Sequence, residues 1–249
     1  MAFTDVEIER YARHLVLREV GGPGQQKLKA ASVLIVGTGG LGSPAALYLA
    51  AAGVGTIILV DPDEVDLSNL QRQVLYDEQD VGRPKAEAAA DRLAALNPHI
   101  FVAGYNGAFE AANADELVEG VDVVLDGTDS FAVRYEVNAA CVRHGKPLVS
   151  GAIGRWTGQV GVFAGKPCYR CLVPEIPPDA ETCVAVGVVG ALAGVVGSMM
   201  AVEAVKLIVG AGAPLTGRLL IYDALSAETR TVKVGADPEC PVCGAIPPL

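Results

Sequence analysis

Short apolar runs and helix-spaced apolar positions alternate through the first 150 residues. Ser32-Val33-Leu34-Ile35-Val36, Thr56-Ile57-Ile58-Leu59-Val60 and Val121-Asp122-Val123-Val124-Leu125-Asp126 read as strands, and helical patterns begin near Leu41 and cover Pro84–Asn97 and Phe131–His144. A basic and apolar stretch, Val6–Arg18, reads as an N-terminal helix ahead of them. Strand and helix in alternation predict an α/β fold: a Rossmann-like, mostly parallel sheet with helices on both faces. Beyond Ala152 the runs Gln159–Phe163, Arg218–Tyr222 and Glu228–Val234 predict antiparallel additions to that sheet.

One stretch departs from this alternation. Val184–Val202 carries no charge and is long enough to cross a bilayer, with Gly190 and Gly194 at the spacing of a membrane-helix dimer motif. Gly187, Gly190, Gly194 and Gly197 fall inside it, and Glu203 and Lys206 continue it directly. A buried helix packed closely on a sheet or on a second subunit is therefore expected, and no membrane association.

Composition narrows the partners. With 249 residues, 51% of them hydrophobic, the chain can bury a substantial core. A net charge of −10 without a basic run excludes nucleic acid or an anionic membrane surface as the main target. The N-terminus has no charged region followed by an apolar one, which points to a reducing cytoplasm.

The first strand runs into Gly37-Thr38-Gly39-Gly40-Leu41-Gly42, a turn whose free amides and following helix favour a phosphate. Gly37 allows the turn, Gly39 lets backbone approach the ligand, and Gly42 lets helix and strand pack. The second strand ends on Asp61, about 20 residues farther on, where a carboxylate can accept ribose hydroxyls. Asn69, Arg72 and Lys85 follow, and they suit the charge of a triphosphate better than a nicotinamide dinucleotide. No P-loop sequence occurs, so ATP would rest on the glycine turn and these side chains.

Cys168-x-x-Cys171 and Cys240-x-x-Cys243 form two knuckles able to share one ion. Four thiolates suit a closed, structural Zn2+ site that clamps the C-terminal part to the middle of the chain. Cys141 sits in an apolar helical setting and reads as core. Cys183 follows the Pro- and acid-rich segment Pro174–Thr182, which reads as a loop crossing a cleft. His14, His99 and His144 are scattered and suggest no hydrolytic triad.

Taken together, Gly37–Ser43, the segment Asp61–Gln73, Gly82-Arg83-Pro84-Lys85, Asp126-Gly127-Thr128-Asp129 and the paired knuckles resemble the HesA/MoeB/ThiF family of adenylyltransferases, relatives of the ubiquitin-activating enzymes. The resemblance runs from about Ile8 to Cys243. It implies a single adenylation domain over 1–249, with an N-terminal helix at 6–18, a nucleotide-binding core at 30–152 and a crossover loop with a zinc-clamped part at 153–249. It implies ATP contacts from Gly37, Gly39, Gly40, Gly42, Asp61, Asp63, Ser68, Asn69, Arg72, Lys85, Asp129 and Ser130, with Mg2+ on Asp129. Ser130 stands where the family commonly has Asn. Arg13 would reach the nucleotide of a second subunit in a homodimer, and Cys183 is a candidate for a covalent link to the activated carrier.

The activity so implied is ATP-dependent adenylation of the C-terminal glycine carboxylate of a small ubiquitin-like sulfur carrier ending in Gly-Gly, with release of pyrophosphate. The carrier would serve molybdopterin or thiamine-type sulfur transfer. The carboxylate is already ionised at neutral pH, so no general base is needed, and catalysis falls to Arg72, Lys85, Arg13 and magnesium on Asp129. Leu249 follows Cys243 by only six residues, leaving sulfur to be supplied by a separate donor protein. Three rivals stand beside this expectation: a nicotinamide-dependent oxidoreductase, an ATP-dependent RNA-modifying dehydratase of the same superfamily, and a non-enzymatic zinc scaffold.

Overall fold

A computed structural model describes residues 3–176 and 187–245. In chain order its elements are α1 (Asp5–Arg10), α2 (Ala12–Leu15), α3 (Gly21–Ala30), β1 (Ser32–Val36), α4 (Gly42–Ala52), β2 (Thr56–Val60), α5 (Lys85–Leu96), β3 (Phe101–Tyr105), α6 (Ala114–Glu119), β4 (Val123–Asp126), α7 (Phe131–Arg143), β5 (Leu148–Gly154), β6 (Thr157–Phe163), α8 (Tyr169–Leu172), α9 (Gly190–Val209), β7 (Arg218–Asp223) and β8 (Glu228–Lys233). All eight strands join one sheet in the order β3-β2-β1-β4-β5-β6-β7-β8. From β3 to β5 the pairing is parallel, and from β5 to β8 it is antiparallel, as the two halves of the sequence predict.

The alternation within β1 builds a core on each face. Val33 and Ile35 point to one side, where they join Leu49 of α4 and Val196 and Met200 of α9. Leu34 and Val36 point to the other and pack with Val118 of α6 and Val137 of α7. Because β2 and β4 flank β1 while the chain runs to opposite sides after each, the strand order reverses there. A crevice opens beyond the carboxyl ends of β1 and β4, the usual binding position in such sheets.

The membrane-like stretch resolves into α9, whose most apolar window has a mean hydropathy of 1.8. It lies on the sheet and α4, as the buried-helix expectation requires. A Cβ on Gly197 would land on the Leu41 carbonyl and the Pro44 ring, so the glycine is what lets the two helices touch. Glu203 is buried with its carboxylate held by the Leu215 amide (2.7 Å) and Lys206 Nζ (2.6 Å).

The expected single helix over 6–18 is corrected: the chain forms α1 and α2, broken at Tyr11 (φ −96°, ψ 11°). Tyr11 is buried, and its hydroxyl accepts a hydrogen bond from Asn97 Nδ2 (2.9 Å), so side-chain burial decides the backbone there. The helix α3 lies outside the expected elements, because Gly21-Gly22-Pro23-Gly24 reads as a breaker; a proline in the first turn is tolerated, since its missing N–H has no helical partner there. The strands β3 and β5 and the helix α6 likewise were not singled out by pattern.

The N-terminal segment is tied down by Glu7. Its carboxylate accepts hydrogen bonds from the Thr4 amide (2.9 Å) in a capping box and meets Lys29 Nζ at 2.6 Å. Lys29 first, then the Thr4 amide, lowers the Glu7 pKa from 4.5 to about 2. A depressed carboxylate contributes its stability fully above the unfolded value and loses it as pH falls through the folded one. Glu7→Gln is therefore expected to lower the melting temperature at pH 7 by about 2–4 °C. Thermal scans between pH 7 and pH 2 should show the gap to the parent protein closing between about 4.5 and about 2; a gap independent of pH would refute the ion pair as its source.

Candidate active site and a four-cysteine centre

At the crevice beyond β1 and β4 lies a cavity of about 440 Å³. Gly37, Gly39 and Gly40 line one wall, Asp61, Asp63, Asn69, Arg72 and Lys85 the next, and Asp129 and Ser130 the third. Ten residues expected from four separated segments therefore meet in one place. The turn that begins it needs glycine twice: Gly37 has φ +85°, and a Cβ on Gly42 would collide with the Gly37 carbonyl. Gly42 thus acts in packing, behind the lining, and brings the N-terminus of α4 to the cavity.

Asp61 ends β2 and is buried. Its Oδ2 accepts from the Thr38 amide (2.7 Å) and hydroxyl (3.0 Å), and its Oδ1 from the Asp63 amide (3.0 Å). The carboxylate is thereby locked to the glycine turn. Tyr76 braces the same corner, its hydroxyl 2.8 Å from Thr38 Oγ1, and burial pushes that phenol well above its ordinary range.

The cations are placed against local preference. Lys85 is the first residue of α5, where the helix dipole disfavours positive charge, and it is buried with Nζ 2.9 Å from Asp63 Oδ2. Arg72 donates to the Ser68 carbonyl (3.2 Å), and among the described residues no carboxylate lies within 4.0 Å of it. Its stem packs beside Gly40, where a Cβ would stand 3.6 Å from its Cγ and Cδ. An unneutralised guanidinium at a glycine turn calls for an anion. Across the cavity Asp129 is exposed and lines the wall. Ser130 caps α7, its Oγ accepting from the Val133 amide at 3.5 Å.

Two further expected residues lie outside the lining, and a third falls outside the described residues. Ser68 is exposed outside the cavity and supports Arg72 through its carbonyl. Arg13 is exposed on α2 and does not line the cavity of its own chain. Cys183 lies outside the described residues.

Sequence reasoning missed Gln73 and Arg134. Gln73 is buried in the cavity wall beside Gly39, and its Oε1 is a buried side-chain oxygen with no hydrogen-bond partner among the described residues. Arg134 is buried in the first turn of α7, Nε 3.6 Å from Asp126 Oδ2, with NH2 donating to the Gly151 carbonyl (2.9 Å) and to the Thr128 carbonyl. A cation in a helix's first turn, as at Lys85 too, was the available cue.

The four cysteines converge as expected. The sulfurs of Cys168, Cys171, Cys240 and Cys243 all lie within 4.8 Å of one another, with Cys168 to Cys240 at 3.7 Å and Cys171 to Cys243 at 3.4 Å. An ion with bonds of about 2.3 Å to four tetrahedral sulfurs would space them about 3.8 Å apart, so the set fits a closed metal site. Asn138 Nδ2 donates to the Cys168 sulfur (3.5 Å) and the Asp237 amide to the Cys171 sulfur (3.5 Å), the outer hydrogen bonds such ligands require. Cys141 is buried on α7, as core, and burial pushes its thiol well up.

Comparison with known proteins agrees with this geometry. The ThiF family pattern matches residues 11–242. The sulfur carrier protein adenylyltransferase of Thermus thermophilus is 50% identical over 256 residues, covering 99% of this chain and 94% of that protein. The molybdopterin-synthase adenylyltransferase of Escherichia coli is 47% identical over 244 residues, covering 97% and 98%. Among solved structures, E. coli MccB with ATP superposes with a TM-score of 0.79 at 26% identity, over 89% of this chain and 69% of that one.

Loss of one sulfur should therefore cost structure before chemistry. Cys240→Ser is expected to lower the melting temperature by several degrees and to release close to one metal ion per chain, since a closed site adds its binding energy to folding. Thermal scans with metal analysis check this; an unchanged melting temperature in a metal-free protein would remove the ion from the account.

Proposed function

The chain belongs to the ThiF family, and from that premise we propose that it uses ATP to adenylate the C-terminal glycine carboxylate of a small ubiquitin-like sulfur-carrier protein. One observation carries the reading: the cavity joins the ribose carboxylate Asp61, the cations Arg72 and Lys85, and Asp129 around a glycine turn. The carrier's carboxylate attacks the α-phosphorus, a P–O bond forms, and the bond to pyrophosphate breaks. Arg72 and Lys85 neutralise the charge that grows on the leaving group, and the turn amides hold the phosphates in line. Asp129, exposed on the cavity wall, would hold the magnesium that accompanies ATP and screens its phosphates.

The T. thermophilus relative is named for adenylating a sulfur carrier protein, which sets the oxidoreductase reading aside, and the E. coli relative for molybdopterin synthase, which supports sulfur transfer of the molybdopterin type over the thiamine type. A carrier ending in Gly-Gly and a separate sulfur donor follow from the same reading. So do a single adenylation domain and Zn2+ as the structural ion at the four sulfurs. Apolar side chains left exposed just after α2 and on α4 and α9 support a homodimer: Val16 is 78% exposed, Tyr48 60% and Val202 57%. Arg13 is exposed on α2, from which it would reach the partner's triphosphate as an arginine given in trans.

Carrier-dependent exchange of pyrophosphate into ATP tests the reading. Arg72→Ala is expected to lower exchange on the order of 10²–10³-fold while leaving the melting temperature within about 2 °C, since among the described residues the side chain's one hydrogen bond is to an exposed carbonyl. Exchange at the parent rate, or none in the parent protein with any sulfur carrier, would defeat it. Mixing Arg13→Ala with Arg72→Ala chains tests the shared site. Activity should partly return, because one site of each heterodimer keeps both arginines; a mixture shown to exchange subunits yet inactive would refute the trans role.

A further inference from the structure

The cavity and the four-cysteine centre are joined by side chains on one face of α7. At its start, Arg134 grips the loop that carries Asp129: Nε reaches the Thr128 carbonyl at 3.2 Å, NH2 reaches it as well, and NH2 also takes the Gly151 carbonyl of β5 at 2.9 Å. One turn along the same face is Asn138, buried, with Nδ2 on the Cys168 sulfur (3.5 Å) and Oδ1 accepting from the Tyr169 amide (2.8 Å). Tyr169 closes the circuit. It follows Cys168 in sequence, its ring faces the Arg134 guanidinium with 6.0 Å from Cζ to the centroid, and Phe163 abuts it edge-on at 5.6 Å. Every member is buried, so neither end can shift without disturbing close-packed neighbours.

We propose that Asn138, Tyr169 and Arg134 are positioning residues that use the metal centre as an anchor for the Thr128–Asp129 loop, so that metal binding and ATP binding strengthen each other. An ion drawing the sulfurs together orients Cys168 and the start of α8. That sets the Tyr169 ring, whose amide Asn138 holds, and the ring keeps Arg134 in the rotamer that pins Thr128. Asp129, next in the chain, then faces the cavity wall in one position. By linkage, nucleotide that favours this position must raise metal affinity by the same factor.

The inference rests on the reading of the cavity as an ATP site, and the experiment separates the two. Wild-type protein is titrated calorimetrically with ATP, zinc-loaded and after chelation, with circular dichroism recording whether the chelated chain stays folded. Zinc affinity is measured by competition with a chromophoric chelator, with and without ATP. Chelation is expected to weaken ATP binding about five-fold or more, and ATP to tighten zinc by the same factor. Tyr169→Leu, which leaves all four sulfurs and Asn138 in place, should bring that factor close to one while zinc still binds; Asn138→Leu should do the same with weakened zinc affinity. Equal ATP affinity in folded zinc-loaded and zinc-free chains, or zinc affinity indifferent to ATP, overturns the proposal; if the chelated chain unfolds, the Tyr169→Leu arm decides, because coupling that runs through global folding alone would survive that change. A factor unchanged in both variants overturns the assigned residues. Failure of the zinc-loaded wild type to bind ATP at all overturns the functional reading and this inference with it.

Discussion

Among the described residues Arg134 is the one buried arginine, and the region around the cavity is organised by the need to satisfy it. Removing a guanidinium from water costs several kcal/mol unless a counter-charge and acceptors replace the solvent. Asp126 supplies the charge from the end of β4, and the Thr128 and Gly151 carbonyls supply acceptors from the loop after β4 and from β5. Asp126 is itself held by the Thr128 amide (3.0 Å) and hydroxyl (2.7 Å) and by the Ser150 hydroxyl (2.7 Å). A strand end, the next strand and a helix are thus fixed against one another by one charge. The loop they fix is the one that presents Asp129 and caps α7 with Ser130.

The rest of the cavity follows an electrostatic logic that folding alone does not demand. Lys85 sits buried at a helix start, where the dipole opposes it, and Arg72 stands beside the glycine turn with no carboxylate partner among the described residues. Each placement gives up some stability of the free protein, and each becomes favourable once a polyanion enters. Asp61 shows the complementary strategy. It is locked by Thr38 and Asp63, so the glycine turn and the Asp61 carboxylate are held as one unit. Preorganisation of this kind lets the site bind without rearranging its dipoles.

The apolar face of α9 shows how one physical property admits different outcomes. Its length and hydropathy would suit a bilayer, yet half of that window is buried by α4 and the sheet. Gly197 permits the approach to α4, while Val195 and Val202 remain on the outer side. The uncharged run that could have signalled a membrane instead supplies a core helix with an apolar outer side.

Local pattern was enough for the β1, β2 and β4 strands, the glycine turn, α4, α5 and α7, the three antiparallel strands and the paired knuckles. In each of these, side-chain spacing and backbone requirement are short-range properties. The resemblance carried by motif order then named most of the cavity wall. What pattern could not decide were features set by contacts distant in sequence. Tyr11 breaks the N-terminal helix because Asn97 holds its hydroxyl, and the Gly-rich start of α3 is helical because tertiary packing outweighs propensity. Arg134 and Gln73 join the cavity only when β4, β5 and the segment after β2 are brought together. The chain by itself determined which chemical groups are available and on which local elements they ride. Only the tertiary structure decided which of them are buried, because desolvation depends on neighbours tens of residues away, and it is burial that turns an ordinary arginine into the pin of a site.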